Sequence, residues 1–317
     1  MTRFKTETAK ESLLRRVRRQ RLKSITVLPS LITILNGVCG FAAIVFASKG
    51  VAARVGNFSY HELALPYFAL AGYMILLAMI ADMLDGRLAR MSQSTSSFGG
   101  QLDSLCDIVS FGVAPAFLML KVVEYKLAGL SEMNPAFVNF VTRFVWLAAA
   151  AYISCAAIRL ARFNVENEED ESAHMSFIGL PSPAAAGVIV SLVIFHQETL
   201  PELSARSTEA YVICENAIIY ALPFLLLGVS VLMVSRIRYP HILNQYLKGK
   251  KPFAHLIRAL VFLGLIIWSR QAALVLIFCG FAASGFLRWF YYRVPIFRNT
   301  PRYAVQNSAE EPSYPTE

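Results

Sequence analysis

The chain has 317 residues, of which 56% are hydrophobic and only 16% are charged, and its formal net charge is +9. A charged fraction so far below the roughly 25% typical of soluble domains excludes an ordinary water-soluble protein. Because the basic residues adjoin long apolar blocks, they indicate contact with lipid headgroups, and a nucleic-acid partner is not expected. Blocks of about 18 or more apolar residues predict membrane-spanning helices, so the expected fold is an all-α, polytopic transmembrane helix bundle.

The N-terminal segment combines clustered arginines with leucine and valine. This pattern predicts a basic interfacial helix over residues 1–25, although a plain cytoplasmic topology signal explains it equally well. Eight spans are predicted after it, at about 27–47, 64–90, 99–121, 139–162, 181–196, 212–234, 255–268 and 271–291. The polar residues 299–317 contain three prolines and predict a disordered tail.

Basic residues are concentrated at one set of predicted helix ends, including the N-terminal run and the ends of spans two and four. By the positive-inside rule, both termini and this side of the bundle are cytoplasmic. An even number of spans agrees with that topology. The five cysteines lie inside apolar blocks without C-x-x-C spacing, which favours small buried hydrophobic side chains over disulfides or metal ligands.

Four aspartates lie where spans two and three meet. Asp82 and Asp85 are three residues apart, and Asp103 and Asp107 are four apart, so each pair shares one helical face. Placing one charged residue at the centre of a membrane helix costs about 2.5 to 3.5 kcal/mol, and neighbouring like charges repel. Nearby divalent cations relieve both problems, and ligands that are all oxygen select hard ions. The four carboxylates therefore predict a two-metal site for hard divalent ions such as Mg²⁺, Mn²⁺ or Ca²⁺, and the expected cofactor is Mg²⁺ or Mn²⁺.

Glycine and arginine residues surround these acids. Gly86 and Gly99 permit close approach of a ligand or a neighbouring helix. Arg87 and Arg90 lie one turn apart at the membrane edge and are candidates for contacts with phosphate oxygens. Snorkelling to lipid headgroups is the alternative explanation for both arginines.

The run D-x2-D-G-x2-A-R-x8-G-x3-D-x3-D resembles the signature of the CDP-alcohol phosphatidyltransferase family. The fixed positions of that signature are matched by Asp82, Asp85, Gly86, Ala89, Arg90, Gly99, Asp103 and Asp107. The resemblance implies a six-helix catalytic membrane core over residues 26–235, followed by two additional transmembrane helices within 236–298. It also implies a homodimer.

Residue roles follow from the same resemblance. Asp82, Asp85 and Asp103 would hold the metals, and Asp107 would both ligate metal and act as the general base. The CDP-diacylglycerol site implied by the resemblance comprises Gly86, Ala89, Arg90, Gly99 and, on the first span, Thr33 and Asn36.

The aspartate signature does not identify the acceptor alcohol, whereas other segments do. Residues 110–116, 159–164 and 177–185 resemble the membrane-type phosphatidylserine synthases, which implies L-serine as acceptor. Arg159 and Arg162 suit the planar serine carboxylate, and the candidate acceptors for its ammonium are Asn164 or the backbone carbonyls near Gly179. Positive-inside topology is the alternative explanation for the two arginines.

Three other functions remain open at this stage. The first is the same chemistry on another alcohol, such as glycerol 3-phosphate or inositol phosphate. The second is an ion-coupled transporter that uses the intramembrane acids, and the third is a catalytically inactive membrane scaffold.

Overall fold

The computed structural model describes residues 30–51, 67–92, 97–128, 135–169, 176–204, 207–240 and 269–293. In these parts of the chain, seven helices are long and apolar enough to cross a membrane. The predicted polytopic helical bundle is therefore confirmed. The predicted span 255–268, the N-terminal helix 1–25 and the tail 299–317 lie outside the described residues.

The helix bounds follow the predicted apolar blocks closely. The helices are α1 (Ser30–Val51), α2 (Tyr67–Ser92), α3 (Ser97–Asp107), α4 (Ala114–Leu127), α5 (Pro135–Glu169), α6 (Ser182–Glu198), α7 (Leu200–Ser204), α8 (Thr208–Val234) and α9 (Arg270–Arg293). A π-helical segment, Ile108–Val113, joins α3 to α4, so that Phe98–Leu127 forms one candidate span. Seven of the eight predicted spans thus correspond to a described helix.

The ends of two helices show how local sequence sets these bounds. Pro181 precedes α6 and Pro183 lies in its first turn, where the missing N–H group removes no intrahelical hydrogen bond. Ser207 caps α8, because its side-chain oxygen accepts a hydrogen bond from the Ala210 N–H at 3.4 Å. All five cysteines are free; Cys39 is buried, whereas the other four are half-buried rather than fully buried as the sequence predicts.

Helix α6 is the central element of the bundle and packs against α2, α8 and α9. Its buried residues include the small run Ala185, Ala186 and Gly187, which allows neighbouring helices to come close. Phe278 of α9 lies directly over Gly187, where a Cβ atom would overlap the aromatic ring. Small residues on α6 therefore make room for a large side chain of α9.

Within the described residues, a two-stranded antiparallel ladder interrupts the helical architecture. β1 (Ser176–Ile178) pairs with β2 (Arg238–Pro240), with Phe177 opposite Tyr239. Sequence analysis does not predict these strands, because three-residue strands are too short to show an alternating pattern. The ladder connects the segment before α6 to the segment after α8.

Candidate active site

Three carboxylates meet where the C-terminal half of α2 approaches α3. Asp82 and Asp85 lie on α2 and Asp103 lies on α3, and one oxygen from each lies within 4.8 Å of the other two. Asp85 is buried, whereas Asp82 and Asp103 are half-buried. The i, i+3 spacing on α2 thus brings two acids to one face, as the sequence predicts, and α3 supplies the third.

This donor set fits a metal ion of the hard divalent class. Asp85 Oδ2 and Asp103 Oδ1 are buried and have no hydrogen-bond partner among the described residues. A buried carboxylate oxygen without a partner is costly, and a bound cation would compensate it. Oxygen ligands alone favour Mg²⁺, Mn²⁺ or Ca²⁺ over softer metals.

Helix α1 supplies hydrogen bonds to two of the acids. The Thr33 side chain and the Gly86 backbone N–H donate to the Asp85 carboxylate. One turn further along α1, Asn36 Nδ2 donates to Asp107 Oδ1 at 2.9 Å. Both α1 side chains are buried. The structure therefore brings the two predicted nucleotide-site residues of the first span into contact with the carboxylates.

Asp107 differs from the other three acids in its surroundings. It lies at the C-terminal end of α3, one turn beyond Asp103, and it is buried beside Asn36. The three-carboxylate group does not include it. One of its oxygens accepts a hydrogen bond from the neutral Asn36 amide, which holds the carboxylate in one orientation.

Close packing fixes α1 against this region. Ser110 Oγ donates to the Asn36 backbone carbonyl at 2.9 Å. A Cβ atom on Gly40 would lie only 2.7 Å from Ser110 Cα. Gly40 thus allows α1 to pack tightly enough for Asn36 to reach Asp107.

The π-helical segment begins directly after Asp107. Pro115 lacks the N–H group that would donate to the Phe111 carbonyl in an α-helix, and the Tyr152 hydroxyl donates to this carbonyl at 2.9 Å. Tyr152 is completely buried on α5. The irregular turn is therefore fastened to α5, and π-helical turns of this kind occur frequently at functional sites.

Of the predicted serine-binding residues, Arg159 has the surroundings that best fit a substrate-binding side chain. Its Nη1 donates to Ser182 Oγ at 2.7 Å, while its buried Nε has no hydrogen-bond partner among the described residues. Its guanidinium interacts electrostatically with Asp107 and Asp82. Sequence analysis does not single out Ser182, although its position in a proline-flanked helix start indicates a structured turn.

The other two predicted serine-binding residues are placed differently. Asn164 Nδ2 donates to Ser104 Oγ at 2.8 Å and so links α5 to α3. Arg162 is half-buried on α5. Their role in serine binding stays a prediction.

Four of the predicted nucleotide-binding residues lie between Asp85 and Asp103 in the sequence. A Cβ atom on Gly86 would have no neighbour within 4 Å, so packing does not require glycine there and space remains for a ligand. Gly99 lies in the first turn of α3 and is half-buried. Ala89 and Arg90 belong to α2, and their side chains lie outside the described part.

Known proteins are similar to this chain over most of the described helices. A model of the CDP-alcohol phosphatidyltransferase family matches residues 26–234. A Helicobacter pylori (strain ATCC 700392 / 26695) protein named CDP-diacylglycerol–serine O-phosphatidyltransferase is 32% identical over 232 residues, covering 73% of this chain and 84% of that protein. Proteins of the same name from Methanocaldococcus jannaschii and Bacillus subtilis are 30% and 32% identical. Those matches cover 71% and 68% of this chain and 79% and 90% of the two relatives.

Proposed function

This chain belongs to the CDP-alcohol phosphatidyltransferase family, and from that premise we propose that it transfers the phosphatidyl group of CDP-diacylglycerol to L-serine. The products are phosphatidylserine and CMP, so the protein is a membrane-bound transferase of phospholipid synthesis. The observation that carries the proposal is the meeting of Asp82, Asp85 and Asp103 within 4.8 Å of one another, inside the matched region. The relatives from three organisms carry the name of the serine enzyme, which favours serine over other alcohols.

Asp82, Asp85 and Asp103 would hold the divalent metal. We propose a two-metal site for Mg²⁺ or Mn²⁺, with Asp107 completing the ligand set. When bound, the metal neutralises the diphosphate of the nucleotide and stabilises CMP as the leaving group. The unpartnered oxygens of Asp85 and Asp103 support this assignment.

Asp107 is proposed to receive the proton of the acceptor. The serine hydroxyl oxygen forms a bond to the phosphorus of the phosphatidyl group, and the bond from that phosphorus to the CMP oxygen breaks. The hydroxyl proton passes to the Asp107 carboxylate. The electron pair of the broken phosphorus–oxygen bond leaves with CMP. Because Asn36 already donates to Oδ1, the second oxygen of Asp107 is the proposed proton acceptor. We favour this direct displacement over a covalent enzyme intermediate, since holding both substrates together lowers the barrier without one.

The remaining predicted residues are assigned to the two substrates. Gly86, Ala89, Arg90 and Gly99 are proposed to border the nucleotide and its diphosphate, together with Thr33 and Asn36. Arg159 is proposed to bind the serine carboxylate, with support from its unpartnered Nε and its interaction with Asp107. Arg162 is proposed as a second cation for that carboxylate, and the Asn164 side-chain oxygen as an acceptor for the ammonium.

The setting of the reaction is also proposed. Both termini and the active site lie on the cytoplasmic side, as the distribution of basic residues predicts, and the protein forms a homodimer in the membrane. Membrane lipids then supply CDP-diacylglycerol laterally, while serine arrives from the cytoplasm.

An acceptor panel tests the proposed function. The purified protein is supplied with CDP-diacylglycerol, Mg²⁺ or Mn²⁺, and L-serine, glycerol 3-phosphate or inositol phosphate in separate reactions. We expect CMP release and phosphatidylserine formation with L-serine, and little product with the other alcohols. Product formation only with another alcohol would contradict the serine assignment, and serine flux into vesicles without CMP formation would favour a transporter.

A further inference from the structure

Residues after α8 fix the backbone that leads into α6. In addition to the β1–β2 pairing, the Gly179 N–H donates to the Ile237 carbonyl at 2.8 Å, and the Leu180 N–H donates to the Leu232 carbonyl at 3.0 Å. Gly179 has a φ of 82°, and a Cβ atom there would overlap the Met233 carbonyl. The chain entering α6 is therefore held in one position by the end of α8 and by β2.

Helix α9 holds β2 in turn. Tyr239 of β2 is completely buried, and its hydroxyl donates to the Ala282 carbonyl of α9 at 3.2 Å. The Tyr239 and Phe281 ring centroids lie 5.5 Å apart. A Cβ atom on Gly285 would overlap the Tyr239 ring, so the glycine makes room for the tyrosine. The family match ends at residue 234, so Tyr239 and α9 lie beyond it.

Ser182 connects this arrangement to the proposed acceptor site. It is the first residue of α6, three residues after Gly179, and its side chain is almost completely buried. Its hydroxyl accepts the 2.7 Å hydrogen bond from Arg159 Nη1, and no bulk water reaches it to replace that bond. A long arginine side chain has many rotamers, so an immobile partner is needed to keep its guanidinium in one orientation.

We propose that Tyr239 and α9 act as positioning elements for Arg159, through the β1–β2 ladder and Ser182. The C-terminal helix beyond the family core thereby sets the affinity for the acceptor substrate. This inference rests on the proposed function, because it assigns Arg159 to the acceptor carboxylate. It predicts that damage at the α9 contact affects serine binding and spares CDP-diacylglycerol binding.

Two glycines of α9 provide a matched pair of variants. Gly285→Ala places a methyl group against the Tyr239 ring, whereas Gly280→Ala places one where nothing lies within 4 Å. We expect Gly285→Ala to raise the KM for serine about two- to fivefold, as for loss of part of one hydrogen bond. We expect Gly280→Ala to leave both KM values unchanged.

Two variants that only remove a hydroxyl group extend the test along the proposed path. Tyr239→Phe removes only the hydroxyl bonded to Ala282, and we expect a two- to fivefold rise in the serine KM. Ser182→Ala removes the direct partner of Arg159, and we expect a rise of about five- to tenfold. Tyr73→Phe is the control for Tyr239→Phe, because the Tyr73 hydroxyl donates to Glu198 at the opposite end of α6. The KM for CDP-diacylglycerol and thermal unfolding in detergent are measured for every variant.

A double-mutant cycle separates positioning from a general loss of structure. If Tyr239 acts through Arg159, Tyr239→Phe should raise the serine KM no further in an Arg159→Lys background. Equal effects in both backgrounds, or a serine KM in Tyr239→Phe and Gly285→Ala that matches Gly280→Ala, would overturn the inference. If the unaltered protein releases no CMP with serine, the proposed function fails and this inference fails with it.

Discussion

Replacing Asp107 by asparagine separates chemistry from binding more cleanly than any other change at the site. The carboxamide has nearly the size of the carboxylate and keeps one oxygen that accepts the 2.9 Å hydrogen bond from Asn36 Nδ2. Asp107→Ala would instead leave the buried Asn36 amide without its acceptor, at a cost of about 1–3 kcal/mol in folding free energy. The asparagine variant therefore changes the proton acceptor while preserving the packing of α1 against α3.

The expected magnitude follows from the proposed role. Loss of a positioned general base lowers the rate about 10²–10⁴-fold. This corresponds to about 2.7 to 5.4 kcal/mol in activation free energy. Because Asp82, Asp85 and Asp103 keep their mutual distances, metal binding and nucleotide binding should survive in this variant.

The assay measures CMP release and CDP-diacylglycerol binding side by side for Asp107→Asn and Asp82→Asn. We expect Asp107→Asn to bind substrate and turn over slowly, whereas Asp82→Asn should lose metal binding and nucleotide binding together. Near-native turnover by Asp107→Asn would refute its role as general base. A loss of nucleotide binding as complete as in Asp82→Asn would show that Asp107 acts chiefly as a metal ligand.

Two further predictions concern the metal and the acceptor. Chelation should abolish CMP release, and Mg²⁺ or Mn²⁺ should restore it, because the three-carboxylate group offers only oxygen ligands. Full turnover in metal-free buffer would contradict the metal assignment. Arg159→Lys should raise the serine KM about tenfold with little change in the KM for CDP-diacylglycerol, because an ammonium cannot reproduce the planar guanidinium fork. Unchanged serine kinetics in this variant would return Arg159 to a role in membrane topology.

The three-carboxylate group could be predicted from sequence because its members lie close together along the chain. Asp82 and Asp85 are separated by three residues on one helix, and helical periodicity alone places them on one face. The short connection to α3 then brings Asp103 near, so little long-range information is required. The apolar blocks likewise predict seven described spans, since the length of a membrane helix is set by the bilayer.

The partners of the acids could not be predicted in the same way. Asn36 and Asp107 are 71 positions apart, and Arg159 and Ser182 are 23 apart, so neither pairing follows from periodicity. The β1–β2 ladder leaves no alternating pattern in the sequence, because each strand has only three residues. Pro115 gives a weak indication of the π-helical segment, because it lacks the N–H group that would bond to the Phe111 carbonyl. The residue that donates to this carbonyl lies on α5, far along the sequence.

Hydrogen bonds give Asp85, Asp103 and Asp107 different surroundings, which the signature alone does not predict. A carboxylate oxygen that already accepts a hydrogen bond is less available to a cation, while a buried oxygen without a donor requires one. Asp107 Oδ1 has Asn36 as a donor, and Asp85 has Thr33 and Gly86, yet Asp85 Oδ2 and Asp103 Oδ1 have no partner among the described side chains and backbone groups. The first span therefore supplies donors only to part of the cluster. It restrains Asp107, which we propose as the proton acceptor, and it leaves unpaired the oxygens that we assign to the metal.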